Sequence, residues 1–134
     1  MTVAFLSLGS NIQPEKNIFD ALRLLSKYVK ILRISTVYLT EPLLGRAQSK
    51  FYNCVVKVET DIQPDRLKRD VLRAIEEKLG RKRTEDKYAS RTIDIDIILY
   101  GNLRVSTEDM TIPDPEILER PFLAVPICEI DPNL

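Results

Sequence analysis

Histidine is absent from the 134 residues, and much familiar chemistry goes with it. A zinc site of His/Cys type and the Ser/His or Cys/His nucleophile pairs are excluded. Only two cysteines occur, Cys54 and Cys128, far apart and without metal-ligand spacing, so reduced structural thiols are expected. The four glycines form neither G-x-x-x-x-G-K-[ST] nor G-x-G-x-x-G, so neither a P-loop nor a dinucleotide fold has support. Net charge is missing too. Twenty basic residues balance twenty acidic ones, and the overall field favours neither nucleic acid nor an anionic membrane, so any anion binding is local. No run approaches the roughly 18 apolar residues of a membrane span, and "MTVAFLSLGSN" lacks a basic leader region, which together predict a soluble cytoplasmic protein. The length suits one domain, residues 1–134, burying roughly two thirds of its unfolded surface.

What is present alternates between two periods. "TVAFLSL" (2–8) reads as a strand ending at a "GSN" turn, and Ile18, Ala21, Leu22 and Leu25 after Pro14 predict a helix over about 14–28. "KILRISTVYL" (30–39) is β-prone, and "TEPLLGRAQSK" reads as a loop. "FYNCVVKVET" (51–60) is again strand-like. In 61–80, Leu67, Val71, Ala74, Ile75 and Leu79 make one apolar stripe, and Gly80 falls where a helix end takes a left-handed residue. "NIQPEK" and "DIQPDR" echo each other at the two helix starts. The order β-α-β, β-α-β predicts an α+β, ferredoxin-like split βαβ arrangement, an antiparallel sheet with both helices on one face and the other face free for a ligand.

"SRTIDIDIILYG" (90–101) interrupts an apolar strand with two carboxylates. Alternation puts Asp94 and Asp96 on one face, with Cα atoms roughly 6–7 Å apart, and Ile93, Ile95, Ile97 and Leu99 on the core face. Like charges so close call for a cation. Magnesium suits them better than zinc, because it takes carboxylate oxygens, keeps waters and shares its sphere with phosphates. The bland alternative is a solvated face with Asp94 paired to Arg91 or another arginine. Against it, residues 81–91 hold five basic side chains and two acidic ones, and cations beside paired carboxylates suit phosphoryl transfer.

"KYASRTIDIDII" resembles the signature of the 6-hydroxymethyl-7,8-dihydropterin pyrophosphokinase family. "SLGSN", "TEPL", "FYNCVV", "EEKLGRKR" and "TIPDPEILERPFLAVPICEIDP" are similar to its other blocks, in order and over nearly the whole chain. The resemblance implies the ferredoxin-like fold and transfer of pyrophosphate from ATP to the pterin hydroxymethyl group, releasing AMP. It implies two Mg2+ ions on Asp94 and Asp96, with Arg83 and Arg91 on the phosphates as catalytic residues. Nucleotide binding would fall to Arg73, Glu76, Arg83, Lys87, Tyr88, Arg91, Ile97, Thr111, Asp114 and Arg120, the 81–91 loop closing as a lid. Phe51 and Phe122 match two aromatic plates for the pterin. Asn53 would read its amide edge together with Thr40, Glu41, Pro42 and Leu43. The implied partners are small molecules, for a monomer or for one part of a fusion with another folate enzyme.

Two positions depart from the family pattern. Asp114 stands where histidine is usual and Asp109 where arginine is often found, in a segment (109–134) with six acids and Arg120 as its one base. Arg73 is the candidate to replace the lost cation. The departures keep open a binding module without turnover, and the carboxylates alone keep open a metal-dependent phosphohydrolase.

Overall fold

A computed structural model of the chain describes residues 1–40, 50–81 and 92–132, apart from the side chains of 121 and 122. Strand β1 (Thr2–Ser10) is central, paired antiparallel with β4 (Phe51–Thr60) on one side and with β5 (Asp94–Tyr100) on the other. Strands β2 (Lys30–Ile34) and β3 (Tyr38–Thr40) both pair antiparallel with the outer side of β4. The resulting order, β2-β4-β1-β5, is that of the ferredoxin-like fold.

Helix α1 (Pro14–Leu25) and a second helix cover one face. The second helix is composite. It runs through α2 (Pro64–Arg66), a π-helical turn (Leu67–Leu72) and α3 (Arg73–Lys78). Both helices begin with glutamine at the N-cap and proline in the first turn, as the echo suggested, although Gln13 is left-handed and Gln63 extended. Leu6, Leu8, Cys54, Val56, Ile95 and Ile97 meet Ala21, Leu25, Leu67, Leu72 and Ile75 to form the main core. Burying each large side chain contributes about 1.5–3 kcal/mol.

Four expectations are corrected. The predicted 30–39 strand breaks at residues 35–37, where Ser35 turns inward and its Oγ accepts the Val55 N–H at 2.9 Å. Gly9 lies in β1 and not in a turn, because the strand continues to Ser10. Leu99 does not face the helices. A bulge opposes Phe5 and Leu6 to Leu99 and Ile97, leaving Ile98 over, and Ile98 and Leu99 both join the cluster on the opposite face. That face is not wholly free either. Helix α4 (Pro121–Ile130) packs Leu123, Ile127 and Ile130 against Phe5, Val55 and Ile98. A ribbon of β6 (Val105–Ser106) and β7 (Thr111–Ile112) and a 3-10 turn (Pro115–Ile117) lead into α4.

Candidate active site

Register fixes which side chains share the α4 side of the sheet. Directly opposed residues lie on one face, so Asn53, Gly9 and Asp94 form one row across β4, β1 and β5, and Val55, Ser7 and Asp96 the next. Phe5 heads the row after that, where α4 takes over. The open end of the sheet is therefore a trough. Gly9 and Ser7 make a low floor, Asn53 stands on one side and the aspartates on the other. Glycine leaves room there for Asn53, since a Cβ at position 9 would meet Asn53 Oδ1 at 3.0 Å and push the amide aside.

The β3–β4 pairing completes the Asn53 side. Tyr38 is opposite Asn53 and Thr40 opposite Phe51, and Asn53 Nδ2 donates to Thr40 Oγ1 at 2.8 Å. Phe51 shares the Asn53 face by alternation.

Behind the aspartates is Glu76, 1 % exposed. Its carboxylate accepts from the Ile95 N–H at 2.8 Å, from Arg81 Nη1 at 2.7 Å and from Arg73 Nη1 at 2.9 Å. Arg81 Nη1 also donates to Asp94 at 2.9 Å, and Arg73 Nη2 is 3.8 Å from Asp96. One buried acid thus holds two arginines against the two aspartates. The helix end makes this possible. Gly80, at φ 87°, turns the chain so that the Gly80 and Arg81 N–H groups bond back to Glu77 and Glu76, bringing the Arg81 side chain under β5. Burial of the carboxylate and the Asp94 charge push the Asp96 acid up to about 7, against the pull of Arg73 and Arg81. Because 42 % of the Asp96 side chain stays open to water, solvent screens part of these interactions.

Of the sequence-derived candidates, Asp94, Asp96, Arg73 and Glu76 come together at this end of β5, with Thr40, Phe51 and Asn53 across the floor. Ile97 points its side chain into the helix-side core. Thr111 is exposed on β7. Asp114 caps the 3-10 turn, accepting the Glu116 N–H at 2.9 Å, while its own N–H donates to the Ile98 carbonyl at 3.0 Å. Arg120 lies 3.3 Å from Glu116. Arg73 stands beside Asp96 and Glu76, on the β5 side of the site. Glu41, Pro42, Leu43, Arg83, Lys87, Tyr88 and Arg91 lie outside the described residues, as does the side chain of Phe122, whose backbone belongs to the first turn of α4. Sequence reading missed Arg81 as a site residue and missed Gly9 and Ser7 as the floor. "SLGS" inside a strand, small residues two apart, was the available signal.

The family model for 7,8-dihydro-6-hydroxymethylpterin-pyrophosphokinase (HPPK) matches residues 5–132. The chain belongs to this family. Like other members, it is similar to the 2-amino-4-hydroxy-6-hydroxymethyldihydropteridine pyrophosphokinase of Haemophilus influenzae, 36 % identical over 137 residues, the match covering 100 % of this chain and 84 % of the relative. It is also similar to folic acid synthesis protein fol1 of Pneumocystis carinii, 39 % identical over 132 residues, covering 97 % of this chain but 18 % of that protein. The HPPK-DHPS of Plasmodium falciparum shares the fold at TM-score 0.71 and 17 % identity, covering 98 % of this chain and 40 % of that one. The chain thus spans under a fifth of the Pneumocystis relative.

Asp94 and Asp96 have the chemistry of a site for a hard divalent cation. They are hard oxygen donors on one face at the open end of the trough, and among the described residues no third Asp, Glu, His or Cys completes a cage with them. Such a donor set fits Mg2+, which leaves positions to water and phosphate, and does not fit zinc.

Proposed function

We propose that the protein transfers pyrophosphate from ATP to 6-hydroxymethyl-7,8-dihydropterin and releases AMP. The observation that carries this reading is the row of Asn53, Gly9 and Asp94 with Ser7 and Asp96 beside it, an amide and the carboxylate pair on opposite sides of a floor of small residues. The pterin stacks over that floor between Phe51 and Phe122. With one amide N–H held by Thr40, which fixes its orientation, Asn53 offers its other N–H and its carbonyl oxygen to the amide edge, with the backbone of 41–43 completing the edge. This binding aims the hydroxymethyl oxygen at the aspartate side.

Asp94 and Asp96 would hold two Mg2+ ions, and the chemistry these would supply is charge neutralisation at the ATP phosphates. Arg81, 2.9 Å from Asp94, stands within reach of a phosphate oxygen at the aspartate side and adds positive charge there. Arg83 and Arg91 act on the phosphates, and Lys87, Tyr88, Thr111, Asp114 and Arg120 bound the nucleotide. Glu76 contributes through the two arginines it holds. Placement and charge stabilisation carry the reaction, without a covalent intermediate. The same domain works alone or as one part of a longer folate enzyme, as the lengths of its relatives suggest.

The test is AMP formation from ATP and Mg2+ with 6-hydroxymethyl-7,8-dihydropterin. AMP above a no-pterin control is expected. Nucleotide hydrolysis indifferent to pterin overturns the reading in favour of a phosphohydrolase, and pterin binding without turnover overturns it in favour of a binding module.

A further inference from the structure

Glu129, near the end of α4, points at the break between β2 and β3. Its carboxylate accepts the Thr36 N–H at 3.0 and 3.1 Å, the Thr36 hydroxyl at 2.7 Å and the Tyr38 hydroxyl at 2.7 Å. These ties hold its pKa below the usual carboxylate range and raise that of Tyr38, so the ionised carboxylate is the form the contacts favour. Nothing in the proposed chemistry uses this group. Its partners, however, lead directly to the trough.

Tyr38 lies opposite Asn53 on the ligand face. Two residues on, Thr40 accepts from the Asn53 amide and sets its orientation. β3 (Tyr38–Thr40) is three residues long and among the described residues pairs with β4 alone, so its own ladder holds it weakly. Helix α4, which Glu129 belongs to, carries Phe122 in its first turn. A second tie near the same end of α4, Lys57 to Asp131 at 3.3 Å, reaches β4 further from the trough.

We propose that Glu129 is a positioning residue for the pterin, a latch that ties β3, the strand orienting Asn53, to the last turn of α4 and so fixes the Asn53 side of the trough. The inference rests on the pyrophosphokinase reading of that trough. Charged hydrogen bonds of this kind act between the last turn of α4 and β3, away from Arg120 at the start of α4 and from Arg73, Glu76 and Arg81 behind β5. Loosening the latch therefore weakens pterin binding selectively. A purely structural role would weaken both substrates in step with stability.

The experiment compares the unaltered protein with Glu129→Ala, Glu129→Gln and Tyr38→Phe. It measures dissociation constants for 6-hydroxymethyl-7,8-dihydropterin and for Mg2+ with a non-hydrolysable ATP analogue, and hydrogen–deuterium exchange at residues 38–40. Glu129→Ala is expected to raise the pterin constant about tenfold, the scale of one or two charge-assisted hydrogen bonds, and to speed exchange at 38–40. The nucleotide constant should stay within about twofold, less than half a kcal/mol. Glu129→Gln, which keeps acceptor capacity, and Tyr38→Phe should fall between, so the proposal survives a poorly folding alanine variant. Unchanged pterin affinity and exchange, or equal losses for both ligands, would overturn the latch while leaving the proposed activity standing. Failure of the unaltered protein to bind pterin would overturn the activity itself and the latch's substrate with it.

Discussion

At the scale of single residues, the aspartate pair gives the sharpest expectations. Asp94→Ala or Asp96→Ala should lower turnover at least about a hundredfold, as loss of an electrostatic catalytic group does, with pterin binding far less affected. Steady-state kinetics beside pterin titration checks this, and equal losses of fold stability would mark the pair as structural. Asp96 also makes stability depend on pH in a definite direction. Its acid rises from 3.8 to about 7 on folding, so the folded chain keeps a proton that the unfolded chain releases. That contribution is fully present below about pH 4 and is lost as pH climbs through about 7. Chemical unfolding of the metal-free protein at pH 5 and pH 8 should show the decline, and Asp96→Asn should flatten it. Gly9 yields a third expectation. Gly9→Ala, with its new Cβ at 3.0 Å from Asn53 Oδ1, should raise the KM for pterin several-fold, by roughly the 1 kcal/mol of a displaced hydrogen bond, and leave the KM for ATP nearly unchanged.

At the scale of elements, α4 holds the covered half of the ligand face. Ile127→Ala should cost about 2–5 kcal/mol in denaturant unfolding, since the side chain is buried against Phe5, Val55 and Ile98 and leaves a cavity. α4 was the least legible part of the chain. "PFLAVPICEI" is apolar nearly throughout and contains two prolines, so its period is obscured, although Leu123, Ile127 and Ile130 do follow helical spacing. α1 and the long second helix were legible within a few residues because each pairs a helical period with a proline start, and β1 and β4 because each is a run of strand-forming residues. The π-helical turn at Leu67–Leu72 was not, since an i→i+5 bond pattern is decided by packing and not by local preference. The bulge at Ile98 escaped for a similar reason. Four consecutive apolar residues from Ile97 to Tyr100 do not say which two share a face.

At the scale of the whole molecule, the site belongs to the sheet as much as to any motif. The D-x-D, the amide reader and the floor come from three strands, and their approach depends on register that no single strand states. Alternation along β5 placed the two aspartates correctly relative to each other. It could not place Arg81, which reaches Asp94 only after the Gly80 turn, nor show that Glu76 would be buried between two arginines. Ligands that join these strands should stabilise the fold as a unit. Mg2+ with a non-hydrolysable ATP analogue at a hundred times its Kd should add roughly 2.7 kcal/mol to the unfolding free energy by mass action. Calorimetry should show the melting temperature rise with ligand and fall back when the metal is chelated.

The position of α4 in the chain has a consequence for biosynthesis. All four main strands are made by residue 100, whereas the helix that shields Phe5, Val55 and Ile98 ends at residue 130. At 5–20 residues per second, a ribosome takes roughly 1.5–6 s to cover those 30 positions. A sheet formed in that interval has an oily patch with no lid of its own, on the face that carries Asp94 and Asp96. That face reaches its final shape only as the last helix docks.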